Sequence, residues 1–193
     1  MPLFPATISN EQVIRIIESN EFNDFHLFIK KELDIEDMNY QVLCKDYAVD
    51  NEGYEDSNVI ARAVFSNEWS KLESVTFFTN HIAECINKSF FRISNEQVFE
   101  EIVNICIKYY LIHELVHVLQ FKRGDITKEK MDRYMEIPYE ERSIEIEADL
   151  TAVKKMSNHG DFEARIVELI KVRKSIDNHA ALGLINLYKK HKF

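Results

Sequence analysis

The chain has 193 residues, 46% of them hydrophobic and 30% charged, with a formal net charge of −9. That length and composition fit one globular domain and exclude a disordered chain. The negative charge argues against nucleic acid and membrane surfaces as partners, and only 4 glycines and 3 prolines argue against a turn-rich all-β fold.

Ile8-Ser9-Asn10-Glu11-Gln12-Val13 recurs as Ile93-Ser94-Asn95-Glu96-Gln97-Val98. Each copy reads as a helix start: the serine caps, the glutamine closes a capping box, and isoleucine packs on valine as a staple. The first helix is predicted over about Asn10 to Ser19 and the second over about Asp24 to Leu33. Segments Tyr40 to Val49, Val59 to Phe65 and Ser74 to Thr79 are rich in β-branched and aromatic residues and read as strands. A helix from about His81 to Phe91 follows. The long helix after Ser94 carries Val98, Ile102, Ile105, Tyr109, Ile112, Val116 and Leu119 along one face, and from Leu111 to Phe121 it is apolar nearly all round, as a core helix is. Gly124 ends it. An irregular stretch to Ile137 is expected, with Pro138 at the first position of a helix running to about Ser157. Two more helices are expected over Asp161 to Ser175 and Asn178 to Lys190. The fold class is α+β, mostly helical, with a small sheet of about three strands packed on the long helix.

Cys44, Cys85 and Cys106 show no CxxC spacing, which fits neither a disulfide framework nor a zinc finger and suggests a reducing compartment. The start lacks a signal-peptide pattern, and no stretch reads as a membrane span of ~18 apolar residues. A cytoplasmic location is therefore expected. A domain of this size buries roughly two-thirds of its unfolded surface, so it needs no metal in order to fold.

The core helix contains His113-Glu114-Leu115-Val116-His117. Two histidines at i and i+4 project about 40° apart on one helix face, close enough to hold one zinc ion. Glu114 beside them is suited to accept a proton from a water attacking a carbonyl. Two histidines and a glutamate are costly to bury without partners, and Leu111, Ile112, Leu115, Val116, Val118 and Leu119 surround them. A third zinc ligand is expected on the next helix, Ile144-Glu145-Ile146-Glu147-Ala148-Asp149-Leu150. Glu145 and Asp149 share a face with Ala148 and Ala152, whose small side chains allow two helices to approach closely. Glu147 lies about 200° round from Glu145 and reads as solvent-facing. Glu145 is thus the expected ligand, and Asp149 the carboxylate that orients a ligand imidazole.

HELVH followed by a helical ExxxD resembles the gluzincin branch of the zincin metallopeptidases. The run Ile112 to Gln120, then Pro138-Tyr139-Glu140 and Glu145 to Asp149, is most similar to the compact ImmA/IrrE-like and phage-type members. The metzincin extension is absent, since Gln120 and Arg123 stand where it needs glycine and histidine. The resemblance covers roughly Ser74 to Ser157. It implies a zincin-like domain over residues 1–193, with its core at 74–157, preceded by N-terminal helices and first strands (1–70) and followed by C-terminal helices (158–193). It further implies zinc held by His113, His117 and Glu145, Glu114 as general base, and a peptide or protein as the partner, cut as an endopeptidase rather than an exopeptidase cuts. In this family the strand before the active-site helices is commonly a sheet edge that pairs with substrate, and Val75 to Thr79 is the segment in that position; an ordinary core strand is the equal alternative.

An oxyanion donor is also needed, and Tyr139, Tyr134 and His159 are nearest in sequence, with Tyr139 preferred. His26, His81, His179 and His191 have no ligating spacing, and Trp69 reads as a packing residue. Two other readings compete with a peptidase: a zincin-fold binding or regulatory module without proteolysis, and a structural zinc site. The complete HExxH and ExxxD set argues against the first. The absence of a closed four-ligand, cysteine-rich set argues against the second. Oligomeric state leaves no trace in the sequence.

Overall fold

The computed structural model describes residues 6–49, 53–56, 59–91, 93–134 and 136–157. The expected helices beyond 157, and His159, His179 and His191 with them, lie outside the described residues. The described elements are α1 (Asn10–Ile17), α2 (Asn20–Glu32), β1 (Gln41–Lys45), β2 (Ala61–Phe65), β3 (Leu72–Phe78), α3 (Thr79–Ser89), α4 (Glu96–Lys122), α5 (Lys128–Tyr134), a 3₁₀ turn (Tyr139–Glu141) and α6 (Ser143–Ser157). This is the expected α+β class.

The first capping box forms as read: Ser9 Oγ accepts from the Gln12 N–H and Gln12 Oε1 accepts from the Ser9 N–H. Ile8 and Val13 are both buried, as a staple requires. Helix α2 starts four residues earlier than expected, because Ser19 caps it by accepting from the Phe22 N–H. In the sequence Ser19 reads equally well as the end of α1.

The sheet order is β1-β3-β2, with β1 parallel and β2 antiparallel to β3. Strand β3 is buried at six of its seven positions, as a strand covered on both sides must be. Of the two readings of the Val75 to Thr79 segment, the core strand is the one found, and the sheet edge is not. The segment has a neighbour on each side, and its main chain is spent on the ladder. The edge strand facing the core helix is β2.

Two expectations around the second half also change. The stretch before Ile137 is not all irregular, since α5 occupies part of it; its sequence, KEKMDRY, has no apolar stripe and buries no side chain. Pro138 does not open the next long helix. It precedes the 3₁₀ turn, and α6 begins only after Arg142, which is extended.

Helix α4 is the spine. Leu111, Ile112, Leu115, Val116 and Val118 are all fully buried. Ala148 and Ala152 of α6 are buried too, consistent with close packing of α6 on α4. The segment Phe99–Lys122 is long and apolar enough to cross a membrane by length and mean hydropathy, contrary to expectation, and more than half of its apolar window is buried inside the fold. A helix packed by strands on one flank and helices on others is apolar on most faces for that reason. The three cysteines are free thiols.

Phe77, next to the end of β3, is fully buried and meets Phe22 edge-to-face, with ring centroids 5.8 Å apart. Phe77→Ala should cost about 3–5 kcal/mol of unfolding free energy, measured by urea denaturation.

Candidate metal centre

His113 and His117 sit one turn apart on α4, and their Nε2 atoms face each other at 3.1 Å. Glu145 Oε2, from α6, lies 3.2 Å from the first and 3.3 Å from the second. These three form a buried group that could hold a metal ion, the only one among the described residues. The helix-face choice of Glu145 over Glu147 is the arrangement found.

The far side of each imidazole is also occupied. His113 Nδ1 lies 2.9 Å from Asp149 Oδ1, the partner expected from the sequence. The same oxygen accepts from the Tyr109 hydroxyl at 2.6 Å. His117 Nδ1 lies 2.8 Å from Gln120 Oε1. Gln120 Nε2 donates to the Ile144 carbonyl at 2.9 Å and to Glu147 Oε2 at 3.0 Å, which fixes the amide with its oxygen toward His117. Both Nδ1 atoms therefore face acceptors and carry the proton. With neutral rings, both Nε2 lone pairs then point at one another and at a carboxylate oxygen. Three electron-rich atoms at that separation need a cation between them, a proton or a metal ion.

The charges follow the same geometry. Burial opposes protonation of His113, yet the Asp149 and Glu145 carboxylates hold it up at about 10. His117 is raised as well: burial opposes this, and the Glu145 carboxylate overrides it. Burial likewise opposes ionisation of Glu145, but the two imidazoles hold its carboxyl far below the usual carboxylate range.

Glu114 is 6% exposed, and its Oε2 accepts the Ala63 N–H of β2 at 2.7 Å. Tyr109, His113, Glu114, His117, Glu145 and Asp149 line one cleft of about 1020 Å³. One wall is Ala61 to Phe65 of β2; the other holds Tyr109, Tyr110, Tyr139, Arg142 and Asp149. Although about half of Tyr139 is exposed, its hydroxyl lies toward Glu145. Partial burial, together with that negative charge, raises its pKa and keeps the phenol protonated. The Arg142 guanidinium lies 5.7 Å from the Tyr139 ring centroid. Tyr134 takes no part, since its hydroxyl pairs with Ser143 Oγ at 3.1 Å outside the cleft.

His26 and His81, expected to take no part in ligation, are buried away from the metal-ion group. His26 Nε2 bonds Tyr40 Oη at 2.7 Å, and burial brings its pKa down to about 4. His81 bridges the Val59 carbonyl and Glu55. The residues not foreseen are Gln120, Tyr109 and the Ala63 N–H. Glu147 is also not simply solvent-facing: it anchors Gln120 and pairs with Arg123 at 2.9 Å.

No protein-family model matches the chain, and no curated protein or solved structure is significantly similar to it.

Gln120→Ala and Asp149→Ala should each weaken binding of a divalent transition metal by about 10- to 100-fold, read by chelator competition. Glu147→Ala should weaken it less, because it acts one bond further out. The metal-free protein should also carry a pH signature. The raised pKa of His113 stabilises the fold fully below the ordinary value of 6.5, and that contribution is lost as pH rises through about 10. The lowered pKa of Glu145 stabilises above its ordinary 4.5, and that contribution is lost as pH falls toward its folded value. Chelated protein should therefore melt highest between these two ordinary values and lower on either side. The profile should flatten in Glu145→Gln.

Proposed function

We propose that the protein is a zinc-dependent peptidase of gluzincin type. The observation that carries this reading is the convergence of His113 Nε2, His117 Nε2 and Glu145 Oε2 on the wall of an open cleft, with Glu114 beside them. Two imidazoles and one carboxylate are a donor set of catalytic zinc, whereas hard cations such as calcium favour all-oxygen sets. Donors of an ion bound at ~2.0–2.1 Å with tetrahedral angles stand about 3.3 Å apart. The separations here are 3.1, 3.2 and 3.3 Å. Three protein donors at a cleft wall leave a position for substrate, which a closed structural site does not.

Zinc held there supplies Lewis acidity, polarising a carbonyl and making water acidic enough to ionise near neutral pH. The protein's own groups do the rest. The Ala63 N–H fixes one oxygen of Glu114. The other has no protein partner among the described residues, and it takes the proton of the attacking water and hands it to the leaving amine. The Tyr139 phenol, kept protonated, donates to the developing oxyanion. Strand β2 supplies the peptide track. In an antiparallel ladder alternate residues face the neighbour or face away. The Phe78 N–H bonds the Ile60 carbonyl, so Ile60 faces β3, while the Ala63 N–H points out to Glu114. Ala61 and Ala63 thus direct main-chain groups along the cleft, where an extended peptide adds as a further strand.

Glu114→Gln should retain one zinc per chain and lose about 10⁴-fold or more in hydrolysis of a peptide library. Turnover near that of the wild type would sink the mechanism. Tyr139→Phe should lower kcat by about 10²- to 10³-fold with zinc content unchanged.

A further inference from the structure

The cleft continues past the metal donors into an apolar end that the catalytic reading does not use. It is lined by Phe65 and Trp69 from the β2–β3 hairpin, Ile126 and Met131 beyond α4, and Ile144 at the start of α6. Phe65 and Trp69 are stacked, with centroids 5.1 Å apart and planes 16° from parallel. Phe121 of α4 backs Phe65 at 4.8 Å. Ile126 and Ile144 are buried, and Phe65, Trp69 and Met131 are half-buried with surface left to offer.

The hairpin holds this surface at some expense. Trp69 has a φ of +53°, a left-handed conformation that a bulky side chain rarely adopts and that persists only where the surroundings enforce it. Ser66 enforces it here. Its carbonyl accepts the Trp69 N–H at 2.8 Å, and its hydroxyl accepts the N–H groups of Ser70 and Lys71, each at 3.2 Å. The pairing of β2 with β3 slips between Val64 and Phe65, the extra residue being Glu73 of β3, so β2 runs unbroken and Phe65 shares a side-chain face with Ala63. The strained turn keeps the indole stacked on the Phe65 ring where both line the cleft.

We infer that Phe65 and Trp69 form a specificity subsite for a bulky apolar side chain, aromatic or large aliphatic, on an extended polypeptide substrate. The inference deepens the peptidase reading and rests on it for the occupant's backbone. Ala63 is held to the general base, and Phe65 lies two residues further on, about 7 Å along a strand. A peptide laid along β2 therefore places a side chain within two residues of the scissile bond over these rings, on the side of Phe121 rather than of Tyr109. Isoleucines, a methionine and two aromatic faces offer contact to an apolar side chain; of the charged groups that also line the cleft, Arg62 pairs with Asp56, Arg142 donates to the Ile137 carbonyl, and Asp132 repels an acidic side chain.

Trp69 is the only tryptophan in the chain, so its fluorescence reports on this pocket without any turnover. The test has two arms. In the first, zinc-loaded Glu114→Gln protein is titrated with two peptides identical except for Leu or Asp at one position. The Leu peptide should shift Trp69 emission saturably, and the Asp peptide should bind at least about 10-fold more weakly. In the second, wild type digests a peptide library, and the sites cut should be enriched in Phe, Leu and Met at one fixed position. Trp69→Gly suits the left-handed backbone and so keeps the fold. It should lose that preference by about 10- to 100-fold in kcat/KM, through KM, with zinc content unchanged. Cleavage with no side-chain preference, or a preference intact in Trp69→Gly, overturns the subsite and leaves the peptidase standing. A saturable, Leu-dependent emission shift without Glu114-dependent cleavage keeps the subsite and overturns the peptidase. No shift and no cleavage overturn both.

Discussion

Everything around the site depends on burying two imidazoles and a carboxylate in the most apolar helix of the protein. His113 and Glu114 are 8% and 6% exposed amid fully buried leucine, isoleucine and valine. Burying such groups is costly unless their polar atoms find partners, and all but one Glu114 oxygen find one among the described residues. Here the partners come from different elements: Asp149 and Glu145 from α6, the Ala63 N–H from β2, and Gln120 from α4 itself. Satisfying α4 therefore dictates where α6 and β2 dock. The aliphatic contacts along the same helix supply the driving force, being non-directional. The polar contacts supply the register.

The charge balance of the cluster has a consequence for folding. With no ion in place, a proton does the metal's work: His113 is held in its charged form by carboxylates on both ring nitrogens. The apo site is thus a buried, hydrogen-bonded ion pair rather than a set of repelling lone pairs, and the core does not need the ion in order to close. Metal binding then becomes an exchange of one cation for another. Its affinity must rise with pH as the competing proton leaves.

Local chemistry was legible in the sequence, and long-range order was not. The i,i+4 spacing of His113 and His117, and the shared face of Glu145 and Asp149 with two alanines, are properties of a single helix, and geometry followed from them directly. Gln120 escaped notice because a glutamine three residues after a ligand looks like any polar residue at a helix end. Only the downstream carbonyl of Ile144 and the carboxylate of Glu147 orient it. The identity of the edge strand escaped for a different reason. β3 has the apolar run of a buried strand, but whether it is central or at an edge depends on which strands pair with it, and nothing within Val75 to Thr79 records that. Helix α5 escaped because it buries nothing and so has no stripe to read. Trp69 reads as packing because its left-handed φ is imposed by Ser66, not by any residue type that signals a turn.

Strand β2 joins these strands of the argument. Within five residues it holds the Glu114 carboxylate through Ala63, directs main-chain groups into the cleft from Ala61 and Ala63, and carries Phe65 to the aromatic wall. These functions share one rigid ladder with β3, whose Val75 and Phe77 are fully buried and pair with Ala63 and Ala61. A one-residue slip of that ladder would turn Ala63's N–H away from Glu114 and invert the faces of the strand. The bulge falls after Ala63 and before Phe65. Its extra residue is Glu73 of β3, so β2 runs unbroken from Ala63 to Phe65 and the pairing of Ala63 with Val75 is untouched. The hold on Glu114 and the aromatic wall are therefore carried by one continuous strand, two residues apart, and both depend on its register.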